Sequence, residues 1–566
     1  MSANARNTAF KIDYGPEIEA EIAQLQHAIE HTPGLAANGS HHSLRWLAIK
    51  LLEGEADLAA RVAAAPGGAS VVTLARASAR ALSSRLGDDT EVLLADRRYS
   101  FINDVVRQVV RQHAPDRFDV TAAIDAVATH RVLGIPVFLM MMFLVFKLVI
   151  DVSASYLEWV EHIFAGPVTR WALALTGAVG LSESWVEALL VEGVIAGVGG
   201  VLVFLPGLFV LYFFLTLLED SGYMARAAFV MDRLMSVLGL HGKSFIPMVL
   251  GFGCAVPAIY ATRTLRSPRD RLITALLTPL MSCSARLPVY VIFGMAFFAS
   301  SANVLIWAMY ALGIAVAVLY GLVLTHMVFR REPSTGFVLE LPPYRMPTLR
   351  TLLMHTWERA ADFIKRAGTV ILAATVVLWL LLNLPAGAPP QESLFGRVSG
   401  AIAPALAPAG FGEWESAGAL VTGFLAKEVI ISSMSTIYVG VQDETPAAEP
   451  STLGEDLVAI GAGFVEATAN AARTLLSAIP GVELVEAEAE PQNTALTAAL
   501  QHVFTPLAAL AFVVFVLLYV PCVATLSAIR AEFGTRWALS AAVYQTATAW
   551  LLAVGVYQIG RLLGLE

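Results

Sequence analysis

Apolar runs close to 20 residues recur along this chain, separated by stretches in which charge of one sign collects. Residues 134–150 (GIPVFLMMMFLVFKLVI) predict a first membrane helix, with Lys147 near its end placed to snorkel. Further spans are predicted at about 194–218, 272–299, 304–329, 367–384, 505–526 and 537–560. Residues 1–130 follow another pattern, the 3.6-residue period of soluble amphipathic helices. Ile18, Ile22 and Leu25 share a face from which Glu17, Glu19 and Glu21 mostly point away. Leu44 to Leu52 repeats the pattern, and Pro66-Gly67-Gly68 breaks it before helices at about 70–86 and 100–113.

Two apolar stretches are interrupted in ways a simple membrane helix is not. Residues 241–290 contain Gly251, Gly253, Pro257, Pro279 and Pro288, with a hinge of Arg263, Arg266, Arg269 and Arg271 between the halves. Residues 417–440 are interrupted by Lys427-Glu428. The positive-inside rule assigns the basic connections at 226–243, 263–271, 330–366 and 530–536 to the cytoplasm, and the acidic or weakly charged stretches 151–192, 386–415 and 441–500 to the outside. The count closes only if 245–261 dips in and returns to the cytoplasm while 417–440 dips in and returns outside. Opposed broken segments are what inverted-repeat transporters use to build a site at the midplane. A faint internal likeness, Trp185 to Gly193 (WVEALLVEG) against Trp414 to Gly423 (WESAGALVTG), fits such a repeat. The fold class expected is an all-α polytopic membrane protein with opposed re-entrant segments, in inverted repeats, plus a small N-terminal helical domain.

Composition supports the membrane reading. Of 566 residues, 57% are hydrophobic and only 15% charged, against about 25% charged in soluble chains. The net charge of −9 and a pI near 5.7, with no sustained basic face, argue against nucleic-acid binding. Three cysteines make no disulfide framework. No secretory signal opens the chain, so insertion is expected to begin at the first internal span.

The candidate chemistry lies at the interruptions. Cys254, Cys283 and Cys522 each sit beside a helix breaker: GFGC before Ala255-Val256-Pro257, MSCSARLP at 281–288, and Tyr519-Val520-Pro521-Cys522. A buried free cysteine is ordinarily a small hydrophobe. Irregular backbone in a membrane, however, is tolerated only where protein or a water-filled cavity surrounds it. Soft sulfur beside freed carbonyls, with Ser282 and Ser284 adjacent, suits a borderline divalent ion such as Fe2+. Such a site must release its ion, so few ligands and partial hydration are expected. Glu219, Asp220, Lys427 and Glu428 are costly at membrane depth unless paired or facing a cavity, which makes them candidate gating or pathway charges. For Glu219 and Asp220 the competing reading is a plain helix end. Arg286 could pair with one of these carboxylates or with lipid phosphate. Met140, Met141 and Met142 sit on an uninterrupted helix and are read as packing or lipid-facing. Gly242-Lys243-Ser244 looks like the tail of a phosphate-binding loop, but the required glycine five positions earlier is Val237. No asparagine precedes a lysine, so no guanine-reading motif is present either.

The segments LEDSGYMARAAF (218–229), GKSFIP (242–247), GFGC (251–254), MSCSARLP (281–288), Ala426-Lys427-Glu428 and Val520-Pro521-Cys522 closely resemble the membrane region of ferrous-iron transporter B, FeoB. The likeness runs from about Tyr14 to the C-terminus. It implies two gate-like halves around a core, uptake of Fe2+ across the bacterial cytoplasmic (inner) membrane with the N-terminus in the cytoplasm, and Cys254, Cys283 and Cys522 on the ion pathway. Residues 14–113 resemble that family's helical domain, and the GTP-binding domain that usually precedes it has no counterpart here. Either a separate GTPase acts in trans, or the chain is truncated, or this version moves iron without one; the first is the favoured expectation, with no GTP bound by this chain, no permanent cofactor, and Fe2+ only as the transported ion. Membrane lipid, a small accessory protein of the iron system and a second copy of the chain are the other partners considered. The layout expected is a soluble helical domain over 1–130, a first gate-like half over 131–300, core spans with a basic connection over 301–385, a second gate-like segment over 386–440, an acidic soluble loop over 441–500 and final spans over 501–566. Rival readings are a nucleoside-type solute carrier and a membrane scaffold or receptor for a GTPase. An enzyme is not expected, because no nucleophile–base arrangement is visible.

Overall fold

In hydrocarbon every backbone polar group needs an internal partner, so apolar runs of spanning length become helices. The computed structural model describes residues 12–36, 43–109, 120–130, 132–182, 184–329, 341–439, 452–477 and 492–564. Among these there is no strand, and seven helices are long and apolar enough to cross a membrane. The chain divides into two compact units, Met1–Asp119 and Val120–Glu566.

The first unit contains helices α1 (Pro16–Glu30), α2 (Leu44–Leu52), α3 (Ala56–Ala63), α4 (Gly68–Leu86) and α5 (Thr90–Val109). Ile18, Ile22, Leu25 and Ile29 form the buried face of α1 and join Leu51, Leu52, Val71, Leu82 and Leu94 in one core. The two glutamate oxygens of Glu19 accept from both arms of Arg45, at 2.6 and 2.5 Å. That fork ties α1 to α2 and raises the guanidinium pKa. Gly67 takes φ +82°, which lets the chain turn between α3 and α4.

The division falls at 119/120 rather than at 130 because the next helix, α6 (Val120–Ala128), belongs to the second unit. Asp125 on α6 accepts from Nε and Nη2 of Arg226 at 2.9 and 3.2 Å. Arg226 is 1% exposed, donates also to the carbonyls of Gly222 and Pro342, and lies 4.2 Å from the Tyr344 ring centroid.

The membrane helices run longer than the apolar segments that predict them. Helix α7 (Gly134–Val179) has 46 residues and α8 (Trp185–Asp220) has 36. At ~1.5 Å per residue they reach about 69 and 54 Å, well beyond the ~30 Å hydrocarbon layer. The expected stop near 150 is absent because Lys147 neutralises Asp151 one turn on, at 2.5 Å. Next come α9 (Tyr223–Val237), α10 (Phe245–Gly253), α11 (Ala255–Ala261), α12 (Pro268–Leu277), α13 (Leu287–Phe298), α14 (Ala302–His326) and α15 (Leu349–Asn383). The path bends by 104° between Tyr223–Val237 and Gly242–Gly253. Then follow α16 (Leu394–Leu406), α17 (Trp414–Leu425), α18 (Val429–Tyr438), α19 (Leu453–Ser477), α20 (Gln492–Val503), α21 (Pro506–Leu518), α22 (Val523–Phe533) and α23 (Thr535–Leu562). Every residue of α21 from Ala511 to Leu518 is buried, so it is the hub of the larger apolar core.

The stretch 441–500, expected as an acidic soluble loop, contains α19 and the start of α20. Helix α19 lies along α7. Its Asp456 pairs with Arg170 and accepts from Trp171 Nε1 at 2.8 Å, which neutralises a buried carboxylate. Trp159 donates to the Ile460 carbonyl at 3.0 Å and packs on Phe464. Gly463 admits this approach, since a Cβ there would lie 2.9 Å from Trp159. Residues 440–451 and 478–491 of that stretch lie outside the described residues.

Candidate functional site: four interrupted helices

In the second unit four helices are broken by extended residues. Cys254 (φ −153°, ψ 131°) separates α10 from α11. Met281 (ψ 135°) and Cys283 (ψ 161°) lie in the gap between α12 and α13. Ala426 (φ −146°, ψ 134°) and the Lys427-Glu428 turn separate α17 from α18. Tyr519 (ψ 171°) and Cys522 (ψ 156°) bound the gap between α21 and α22. Proline accounts for two of the breaks. Pro288 starts α13, and Pro521 has no N–H to continue the α21 ladder. Each break leaves helix-end carbonyls without an intrahelical partner.

The breaks are joined in pairs. Ser284 Oγ donates to the Gly253 carbonyl at 3.1 Å, linking the first break to the second. Lys427 Nζ donates to the Val520 carbonyl at 2.8 Å, linking the third to the fourth. The ammonium also lies 3.0 Å from the centroid of the Tyr519 ring. Tyr519 in turn donates to the Leu420 carbonyl at 3.3 Å. Cys254, Cys283, Cys522 and Glu428 lie within one another's electrostatic reach, and Lys427 and Arg286 both act on Cys283. The three thiols are each partly exposed.

Several predicted residues sit differently from expectation. Among the described residues Arg286 meets no carboxylate, and it is buried rather than at a lipid face. It is 2% exposed and donates to the carbonyls of Met281 and Pro279 at 3.1 and 3.2 Å, caging its own break. Ser282 faces Tyr290, with their oxygens 2.9 Å apart, while Ser284 reaches the Cys254 break. Glu219 and Asp220 end α8 with partners of their own, Arg359 at 2.9 Å and His355 at 3.9 Å. Gly242-Lys243-Ser244 forms a 3₁₀ turn, and its Gly242 N–H is occupied by Asp232 at 2.8 Å. Met140 is exposed and Met142 buried, as packing and lipid-facing positions. Among the described residues no three His, Cys, Asp or Glu side chains come close enough to hold a metal ion.

Two participants escaped the sequence reading. The Val520 carbonyl is a backbone atom with no letter of its own, and only the helix break at Pro521 hints at it. Tyr519 sat in a segment quoted for its cysteine, and an aromatic beside a break could have flagged it as a partner for Lys427.

Comparison with known proteins gives matches to three family models. The model described as "Gate: Nucleoside recognition" matches residues 201–297 and 364–536. "Ferrous iron transport protein B C terminus" matches 306–359, and "FeoB cytosolic helical domain" matches 14–111. The chain is 37% identical to a protein of Porphyromonas gingivalis named Fe(2+) transport protein A/Fe(2+) transporter FeoB fusion protein, over 98% of this chain and 65% of that one. It is 35% identical to the Fe(2+) transporter FeoB of Staphylococcus aureus, over 98% of this chain and 75% of that one. A Fe(2+) transporter FeoB of Methanocaldococcus jannaschii is 33% identical over 97% of this chain and 74% of its own length. The chain thus spans between about two thirds and three quarters of the length of these relatives. No solved structure matches it.

Proposed function

The chain belongs to the FeoB family, and from that premise we propose that it is a permease for ferrous iron in the cytoplasmic membrane, with both termini of its spans ordered by the positive-inside rule and the N-terminal unit on the cytoplasmic side. The observation that carries the reading is the meeting of four interrupted helices around accessible thiols. Cys254, Cys283 and Cys522 offer soft sulfur, and the freed carbonyls offer oxygen, a combination suited to a borderline divalent ion held briefly. Glu428 is the carboxylate of the cluster, and Lys427 and Arg286 set the opposing field. Glu219 and Asp220, at the end of α8, serve as charges at the pathway's mouth.

The paired breaks also support an inverted repeat. Cys254 and Cys283 interrupt the first pair, Lys427-Glu428 and Cys522 the second, and each pair carries its own cross-link. The two separate stretches matched by the gate model fit the same division. A GTPase acting on the N-terminal helical unit is the proposed regulator, supported by the helical-domain match over 14–111. The name of the fusion relative supports a small accessory protein.

The same gate model, described as nucleoside recognition, is the one specific observation favouring a nucleoside-type carrier. Purified chain in sealed vesicles decides between them. Ferrous uptake into an entrapped chelator is expected, increasing when a GTPase partner and GTP are added, with no uptake of labelled nucleoside. Nucleoside uptake without ferrous uptake would overturn the iron reading. Tight GTPase binding with neither flux would favour the scaffold.

A further inference from the structure

The two cross-links between breaks are alike in position and unlike in donor. In the first pair a neutral hydroxyl, Ser284, holds the Gly253 carbonyl. In the second pair a lysine amine, that of Lys427, holds the Val520 carbonyl. Lys427 is 3% exposed. Among the described residues no carboxylate lies within ion-pair distance of it. Its partners are a carbonyl oxygen at 2.8 Å and the face of an aromatic ring at 3.0 Å. Those are ligand types that stabilise a cation without carrying a charge themselves.

The position is also suited to a travelling cation. Val520 lies in the gap between α21 and α22, so its carbonyl is outside either helical ladder and accepts from Lys427 instead, two residues from Cys522. We propose that the Val520 carbonyl and the Tyr519 ring face form a cation position on the pathway, and that Lys427 is a tethered cation occupying it until ferrous iron displaces it. The inference rests on the pathway reading above and adds a gating element to it.

Two positive charges cannot share so small a space in a low-dielectric interior, so ion and ammonium exclude one another. Lysine suits displacement because its charge sits on a flexible four-carbon stem. The stem is rooted in the turn between α17 and α18, after extended Ala426, where the Lys427 carbonyl accepts from the Ile430 N–H at 3.4 Å and the four-carbon stem is the part left to move. Withdrawal of Lys427 also removes one of the two ties between α17–α18 and α21–α22, leaving that of Tyr519 to the Leu420 carbonyl. Arrival of the ion and loosening of the second pair of breaks thus become one event. The device would favour a divalent ion over a monovalent one, because only the stronger charge competes well with an ammonium already in place.

The test reads Cys522 rather than transport. Full chain in vesicles is titrated anaerobically with Fe2+, then alkylated with N-ethylmaleimide, and labelling of the Cys522 peptide is followed by mass spectrometry. Replacing Lys427→Leu removes the competitor without adding a ligand and is expected to lower the Fe2+ needed for half-protection by about tenfold, a free-energy change of ~1.4 kcal/mol. Lys427→Ala, which removes the same charge and shortens the side chain, shifts the requirement the same way and serves if Lys427→Leu does not fold. Lys427→Arg, which keeps the charge, brings the requirement back toward that of the unmodified chain. Protection curves for Lys427→Leu and Lys427→Ala that superimpose on the unmodified chain, or move to higher Fe2+, would overturn the tethered-cation proposal alone. Absence of protection in every variant and in the unmodified chain would remove the pathway reading, and this inference with it.

Discussion

At Gly423 a hydrogen is the only side chain the packing admits. A Cβ there would stand 2.5 Å from the Tyr519 hydroxyl and closer still to Ile430. Gly423 thus sets how near α17 comes to the ring that faces Lys427. Gly423→Ala is expected to lower thermal stability by about 1–3 kcal/mol through overpacking, measured as unfolding temperature in detergent. An unchanged transition would show that the approach is not tight. The chemistry of this region was partly legible in the sequence. Cysteines beside glycine and proline, and a Lys-Glu pair inside an apolar run, are residue types whose position costs something unless it is used. What they touch was not legible. Arg286 was expected to meet a carboxylate or phosphate and holds two carbonyls instead. Backbone oxygens exposed by a break have no letter in the sequence, so neither the partner of Arg286 nor that of Lys427 could be read from it.

Helices show the same division between what local pattern decides and what distant packing decides. The seven spans lie where apolar runs predict them, because hydrocarbon leaves the backbone no alternative. Their ends do not, since α7 and α8 continue into the aqueous zone on support from neighbouring helices. One such support is α19, held by Asp456 against Arg170 and Trp171. Asp456→Ala should release it at a cost of about 2 kcal/mol, raising amide exchange in 453–477 roughly thirtyfold. Unchanged exchange would mean that Trp159 and Phe464 suffice. At the other end of α7, Arg226 binds α6 to α9 and to the Pro342–Tyr344 connection. Arg226→Met leaves Asp125 and two carbonyls without their donor. Breaking this buried pair should cost about 3 kcal/mol and be seen as faster exchange across Val120–Ala128. Equal exchange in both proteins would show that apolar packing alone holds α6. Neither tie was visible beforehand, because each joins residues more than a hundred positions apart.

For the molecule as a whole, the sequence supplied the class and the family likeness, while the pairing of breaks came from the structure. Four short losses of helix are each expensive in a membrane, and together they leave a cluster of partly exposed sulfur, carbonyl oxygen and titratable side chains. A stable core has no need of that arrangement, whereas an ion that must be bound and then released does. The central claim is that Cys254, Cys283 and Cys522 carry ferrous iron across this unit. Initial rates of Fe2+ uptake by vesicles containing equal amounts of folded protein test it most directly, comparing the unmodified chain with Cys254→Ser, Cys283→Ser and Cys522→Ser. Serine keeps the shape and removes the soft ligand, so each variant should lose about tenfold or more in uptake rate at limiting Fe2+, the equivalent of ~1.4 kcal/mol of ion stabilisation. Rates equal to that of the unmodified chain in all three variants would contradict it.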